Sequence, residues 1–154
     1  MQIQHVIHAL SKVCPAITLV SNHKAHHQFG LEVIPDYHQQ IGPMGGIMAG
    51  LRHSQSAVNL FVACDMPFIS NEVLTALLKK STADGCITAA YGGRRETLCT
   101  IYPKSALEIM EAMVKAQQFR LYDLLDELHA EVVDVTHLCS GNPFININTP
   151  DALK

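Results

Sequence analysis

The apolar positions Ile3, Val6, Ile7, Leu10 and Val13 recur at the spacing of one helix face, and Pro15 stops that helix before the β-rich run Ile17-Thr18-Leu19-Val20. A second short strand, Glu32 to Ile34, ends at Pro35-Asp36, and a glycine-rich turn from Gly42 to Gly46 leads into a predicted helix over Ile47 to Arg52. The third strand is Val58 to Cys64, which lacks polar alternation. Ser70 is placed to cap a helix from Asn71 to Lys80, with Val73, Leu74, Leu77 and Leu78 as its buried stripe. Cys86 to Tyr91 and Leu98 to Tyr102, joined across Gly92-Gly93, read as a hairpin. Helices follow over Lys104 to Ala116 and Leu121 to Leu128, then a strand from Glu131 to Val135 and a terminal segment Phe144 to Pro150.

Strands alternating with helices, together with apolar strands of uniform character, predict a three-layer α/β fold: a mainly parallel sheet with helices on both faces. The 154 residues suit one domain, 1–154, and 48% hydrophobic against 16% charged residues is a globular balance. A net charge of −3 with eleven scattered Lys and Arg supplies no basic field for nucleic acid. There is no run of the roughly 20 apolar residues that a membrane span needs, nor a signal-peptide pattern, so the chain reads as cytoplasmic with no membrane partner. Five widely spaced cysteines fit reduced core thiols better than a disulfide framework. Oligomeric state is unspecified by the sequence.

In sheets of this kind ligands sit beyond the carboxyl ends of the strands. Asp65, which follows the apolar run Phe61-Val62-Ala63-Cys64 and precedes Met66-Pro67, stands at that edge. A carboxylate there can hold magnesium, which takes hard oxygen ligands, or it can serve as a turn or helix-capping aspartate. Asp36 follows a strand in the same way and has the same two readings. The run Gly42 to Gly50 can let backbone N–H groups approach phosphate, or simply make a tight strand-to-helix connection; it is neither the dinucleotide fingerprint nor a P-loop. Asn146 and Asn148 alternate, so both amides point to one side of an extended segment, where they can read a polar heterocycle or cap a turn. His23, His26 and His27 read as a solvated loop or helix face rather than a metal cluster, and Arg94-Arg95 as a hairpin tip able to reach a phosphate.

Taken in order, Pro35-Asp36, Gly42-Pro43-Met44-Gly45-Gly46-Ile47-Met48-Ala49-Gly50-Leu51, Cys64-Asp65-Met66-Pro67-Phe68 and Phe144-Ile145-Asn146-Ile147-Asn148-Thr149-Pro150 resemble the molybdenum cofactor guanylyltransferases, the MobA-like nucleotidyltransferases. The resemblance implies a Rossmann-like nucleotidyltransferase fold and transfer of GMP from GTP to molybdopterin, releasing pyrophosphate. It implies Mg2+ at Asp65 as the catalytic and metal residue, nucleotide contact at Asp36, a junction of the two ligands near Gly42, Gly45 and Gly46, and pterin-side contact at Asn146 and Asn148. Partners would be these small molecules, with proteins of cofactor biosynthesis or cofactor acceptors beside them.

The family's opening strand and its loop LAGGxSxRMGxxK have no counterpart among these residues. The resemblance therefore implies an N-terminally incomplete domain, short of on the order of 30 residues or one βα unit. Such a gap is expected to come from a mis-assigned start, a truncated gene or a natural deletion, and to leave sheet edge uncovered, with weak GTP binding and a tendency to self-associate. Relatives also carry Pro-Leu where this chain has Thr97-Leu98. Two other readings accompany the guanylyltransferase: a non-catalytic or decayed molybdopterin- or nucleotide-binding module, and a related cytidylyltransferase.

Overall fold

The computed structural model describes residues 2–146. Helix α1 (Gln2–Ser11) is followed by β1 (Thr18–Val20), a 3-10 turn (Lys24–Phe29), β2 (Glu32–Ile34), α2 (Pro43–His53), β3 (Val58–Val62), α3 (Asn71–Leu78), β4 (Ile87–Tyr91), β5 (Arg94–Pro103), α4 (Ala106–Lys115), α5 (Leu121–Glu127) and β6 (Glu131–Asp134). Asn148 and the rest of the terminal segment from 147 onward lie outside the described residues.

The strands form two hydrogen-bonded blocks. β1 and β2 pair in parallel, Leu19 opposite Val33. The other block has the order β3-β5-β4-β6. β5 runs antiparallel to both β3 and β4, whereas β4 and β6 are parallel, so three of the four strands share one direction. Among the described residues no ladder joins β1 to β3. Helix α2 connects the blocks instead: a methyl group placed on Gly50 would meet the Phe61 ring of β3 at 2.6 Å and Val20 of β1 at 3.8 Å.

Helices cover both faces of the larger sheet, as expected. On one face Val6 and Ala9 of α1 and Val73, Leu74 and Leu77 of α3 pack against Ile87, Ala89, Cys99 and Ile101. On the other, Met44, Ile47, Met48 and Leu51 of α2 join Met110 and Met113 of α4 and Leu124 and Leu125 of α5 around Tyr102. Ile101 and Tyr102 are neighbours in β5 that face opposite cores, the period-two alternation of a strand buried on both sides. The Phe61 and Tyr102 rings meet edge to face at 5.8 Å.

The largest departure from the sequence pattern is the start of α2. The stretch Gly42 to Gly46, read as a turn before a helix at Ile47, is in fact mostly helix, because α2 begins at Pro43. Gly42, with φ 69° and ψ −150°, makes the bend that few other residues tolerate, and Pro43 then occupies the first turn, where a missing N–H is harmless. β5 is also longer than the apolar run that announces it, extending back to Arg94 through a bulge. Thr88 pairs with Thr100 but the next residue, Ala89, pairs with Glu96, so Thr97, Leu98 and Cys99 bow away from β4. Their backbone groups find other partners: the Tyr102 hydroxyl donates to the Thr97 carbonyl at 2.9 Å and the Ala63 N–H to the Leu98 carbonyl at 3.0 Å.

Candidate functional site

The chain leaves β2 at Ile34, returns along α2 and enters β3 at Val58. A strand–helix–strand connection of this kind ordinarily sets its two strands parallel, with their carboxyl ends at one edge. Asp36 follows the first and Asp65 the second.

Asp65 occupies the turn between β3 and α3. The Ala63 N–H still bonds to β5, after which the chain turns at Cys64-Asp65; Met66 is buried, and its carbonyl accepts from the Ile69 N–H at 3.1 Å. The Ser70 hydroxyl then caps α3 by accepting from the Val73 N–H at 3.4 Å. Anchored on both sides, the half-exposed Asp65 carboxylate accepts a hydrogen bond through Oδ2 from the Asn146 side-chain Nδ2 at 2.6 Å. Residues 81 positions apart in the chain thus meet at the strand edge. Asp65 and Asn146, two of the residues singled out in the sequence, are brought together.

Asp36 is held by a reciprocal pair of bonds. Asn22, the second residue past β1, donates from Nδ2 to the Asp36 carbonyl at 2.9 Å and accepts from the Asp36 N–H at 3.1 Å. Asp36 Oδ1 accepts from the His38 N–H at 2.8 Å. Gly45, buried in the first turns of α2, lies against this loop: a Cβ there would sit 2.5 Å from the His38 carbonyl oxygen and 2.9 Å from Asp36 Oδ1. Gly46, one residue on, faces only Val20 at 3.9 Å. Asp36, Gly42 and Gly45 thus form one unit at the start of α2, with Gly46 beside it.

Glu96 is a carboxylate that reading the sequence missed. The bulge in β5 leaves it half-buried, with Oε1 accepting from the Leu98 N–H at 3.4 Å. Burial is the main cause pushing its carboxyl above the ordinary range; the Leu98 bond and Arg94 pull it down, and the charge of Asp65 adds to the rise. The apolar run that announces β5 begins only at Leu98, so the sequence carried no signal for Glu96. Because folding raises this pKa, the ionised form is disfavoured in the native state. Stability tied to Glu96 is full below the ordinary carboxyl range and falls as pH rises through the raised value. Glu96→Gln is therefore expected to raise the melting temperature at pH 7 and leave it unchanged at pH 4, by calorimetry at both values; a lower melting temperature at pH 7 would contradict this account.

Asp65, with Glu96 near enough to feel its charge, offers hard oxygen donors at a partly open edge. That donor chemistry fits magnesium, which takes one or two carboxylates and completes its shell with water and phosphate oxygens. A groove of about 460 Å³, lined by Phe68, Ser70, Glu72, Leu138, Asn142 and Ile145, opens among residues that follow Asp65 and precede Asn146 in the chain, without either in its lining. Phe68 is 59% exposed there, an apolar surface next to acidic groups. Another hollow, of about 390 Å³, lies between α1 and the 24–29 turn and likewise has neither Asp36 nor Asp65 in its lining.

Other candidate side chains are engaged elsewhere. Arg95 pairs with Asp126 at 2.7 Å and lies over the Tyr122 ring, so it faces α5 rather than a phosphate at the strand edge. His26 Nδ1 is 2.6 Å from the Ser21 hydroxyl, and among the described residues no three metal-ligating side chains converge. Burial pushes the Cys86 thiol up to about 12 and raises that of Cys99 as well, so neither supplies a thiolate at neutral pH. No helix among the described residues is long and apolar enough to cross a membrane.

Residues 1–132 match the MobA-like NTP transferase domain. The chain is 32% identical over 153 residues to a Flavobacterium johnsoniae protein named "Probable molybdenum cofactor guanylyltransferase", covering 99% of this chain and 80% of the relative. It is 32% identical over 154 residues to the molybdenum cofactor guanylyltransferase of Vibrio parahaemolyticus, of which it spans 78%. Among solved structures, the molybdopterin-guanine dinucleotide biosynthesis protein A of Archaeoglobus fulgidus superposes with a TM-score of 0.74 at 29% identity, covering 99% of this chain and 81% of that one. With the match running over most of this chain and the Rossmann-like nucleotidyltransferase fold shared, the chain belongs to the MobA-like NTP transferase family and is a nucleotidyltransferase.

Proposed function

We propose that the protein transfers GMP from GTP to molybdopterin, forming the guanine dinucleotide cofactor and releasing pyrophosphate. The observation that carries this reading is the Asp65–Asn146 contact at 2.6 Å, a strand-end carboxylate joined to an amide of the terminal segment. The resemblance assigns the first to the nucleotide phosphates and the second to the pterin. The names of the curated relatives support the same reaction.

The chemistry follows from charge. GTP and the acceptor phosphate are both anionic, while the edge carries the carboxylates Asp36, Asp65 and Glu96, so bare approach is repulsive. Asp65 would hold Mg2+, which when bound neutralises charge developing on the α-phosphate and the leaving pyrophosphate. The chain's own groups do the rest by positioning. Asn146 fixes one oxygen of Asp65 and so orients the other. Asp36, an acceptor only, suits the N–H and O–H donors of base or ribose and repels phosphate, which places the nucleoside end of GTP on its side of the edge. Asn146 and Asn148 would address the pterin, and the groove beside Phe68 gives its ring an apolar wall. Transfer between two bound anions needs no protein nucleophile, and burial raises every cysteine thiol among the described residues rather than activating one.

The test is direct: the purified protein is incubated with molybdopterin, Mg2+ and, separately, GTP, CTP or ATP, and both pyrophosphate and the dinucleotide product are measured. Product from GTP alone is expected. Product from CTP would make it a cytidylyltransferase, and molybdopterin binding without any pyrophosphate would make it a binding module.

A further inference from the structure

We infer that Asn22 is a positioning residue for the nucleotide site, acting through Asp36. The inference rests on the reading above that Asp36 receives the nucleoside. Asn22 is an exposed side chain just past β1, in a segment where a solvated polar residue needs no explanation. Instead of pointing to water, its amide meets both backbone groups of Asp36, donating at 2.9 Å and accepting at 3.1 Å. That is the pattern of one further rung added to the β1–β2 ladder by a side chain. The last paired residues are Val20 and Ile34, and the Ser21 N–H still bonds to the Ile34 carbonyl at 2.9 Å. Beyond that point backbone pairing stops and Asn22 takes over.

The consequence falls on the Asp36 carboxylate. With the Asp36 backbone pinned on one side by Asn22, and Oδ1 held by the His38 N–H at 2.8 Å, Oδ2 is the oxygen left for a ligand's donor. Without Asn22, Asp36 hangs from a strand of three residues, β2, and from a close contact with Gly45. A loop free to shift carries its carboxylate with it and must be ordered again whenever substrate binds, so affinity falls accordingly. Asn22 touches no reacting atom in this account, so its loss acts on substrate affinity and leaves the chemical step unchanged.

The experiment follows amide hydrogen exchange by NMR in the free protein, and GTP binding by chemical-shift titration in the presence of Mg2+, for Asn22→Ala, Asn22→Asp, Asp36→Asn and the double variant Asn22→Ala/Asp36→Asn. Loss of two hydrogen bonds sets the scale: about tenfold faster exchange at Asp36 and about tenfold weaker GTP binding in Asn22→Ala. Exchange at the α2 amides stays unchanged. Asn22→Asp keeps the acceptor for the Asp36 N–H but sets an oxygen against the Asp36 carbonyl, so it restores protection only in part. The double variant binds GTP no more weakly than Asp36→Asn alone. Unchanged exchange at Asp36 in Asn22→Ala, or losses in affinity that add in the double variant, would overturn the inference. Wild-type GTP affinity in Asp36→Asn together with fast exchange in Asn22→Ala marks a different failure: Asn22 then pins the loop, but Asp36 does not receive the nucleoside.

Discussion

Asp65→Asn is expected to lower magnesium-dependent nucleotidyl transfer by at least about 100-fold, the scale set by removing one preorganised electrostatic contact to a developing charge. The substitution is nearly isosteric, and its remaining carbonyl oxygen can still accept from Asn146, so the 2.6 Å contact and the turn around it have no reason to change. What goes is the negative charge that would hold the cation. Because the residue is half-exposed and outside both cores, the melting curve should stay within about 0.5 kcal/mol of the wild type. The assay is pyrophosphate release with GTP, molybdopterin and Mg2+, alongside thermal unfolding. Wild-type release would remove Asp65 from catalysis; lost activity with an early melt would make the residue structural.

The two glycines at the start of α2 are expected to respond in opposite directions. Alanine at Gly45 drives a methyl group into the His38 carbonyl oxygen, 2.5 Å from the ideal Cβ position, and toward Asp36 Oδ1 at 2.9 Å. A backbone oxygen cannot swing aside as a side chain can, so the whole 36–38 loop must retreat. Overpacking of this kind costs about 1–3 kcal/mol. In a protein of this size that lowers the melting temperature by about 3–10 °C. GTP binding should weaken with it, since Asp36 rides on the displaced loop. Alanine at Gly46 meets only Val20 at an ordinary 3.9 Å and removes a flexible residue from a helix, a gain of about 0.5–1 kcal/mol. Thermal melts of both variants, paired with GTP titrations, check this. A Gly45→Ala protein that melts like the wild type would contradict the close approach, and a Gly46→Ala protein that is more stable but loses GTP would place Gly46 against the ligand.

Much of this site was legible before any coordinates, for a physical reason. Asp65 and Asp36 each follow an apolar strand directly, and strand-end position depends on local pattern alone. The helices were legible through their periodicity, although α2 starts at Pro43 rather than Ile47 because glycine-rich composition masked a helix that uses its glycines for close packing. Glu96 and Asn22 were hidden for different reasons. Glu96 depends on a bulge that shifts the β4–β5 register, and registers arise between strands rather than within one. Asn22 depends on two hydrogen bonds to a residue 14 positions away, and nothing in a lone asparagine among histidines indicates them. The Asp65–Asn146 contact spans 81 of the 154 residues; its two ends were visible, but only the fold could join them.

The division of the strands into two blocks has a mechanical side. Asp36 belongs to the β1–β2 block and Asp65 to the β3–β5–β4–β6 block, with α2 packed across both. Within a block a hydrogen-bonded ladder fixes spacing stiffly, strand to strand. Between the blocks the coupling runs through side chains, Val20 and Phe61 meeting α2 near Gly50. Side-chain contacts are the more compliant link of such a frame, and Met44, Ile47, Met48 and Leu51 of α2 supply most of them toward the larger sheet, with Gly50 and Phe61 at the closest approach. The helix that links the two carboxylates is thus held to one block by Val20 of the β1–β2 ladder, and to the other by a packed core.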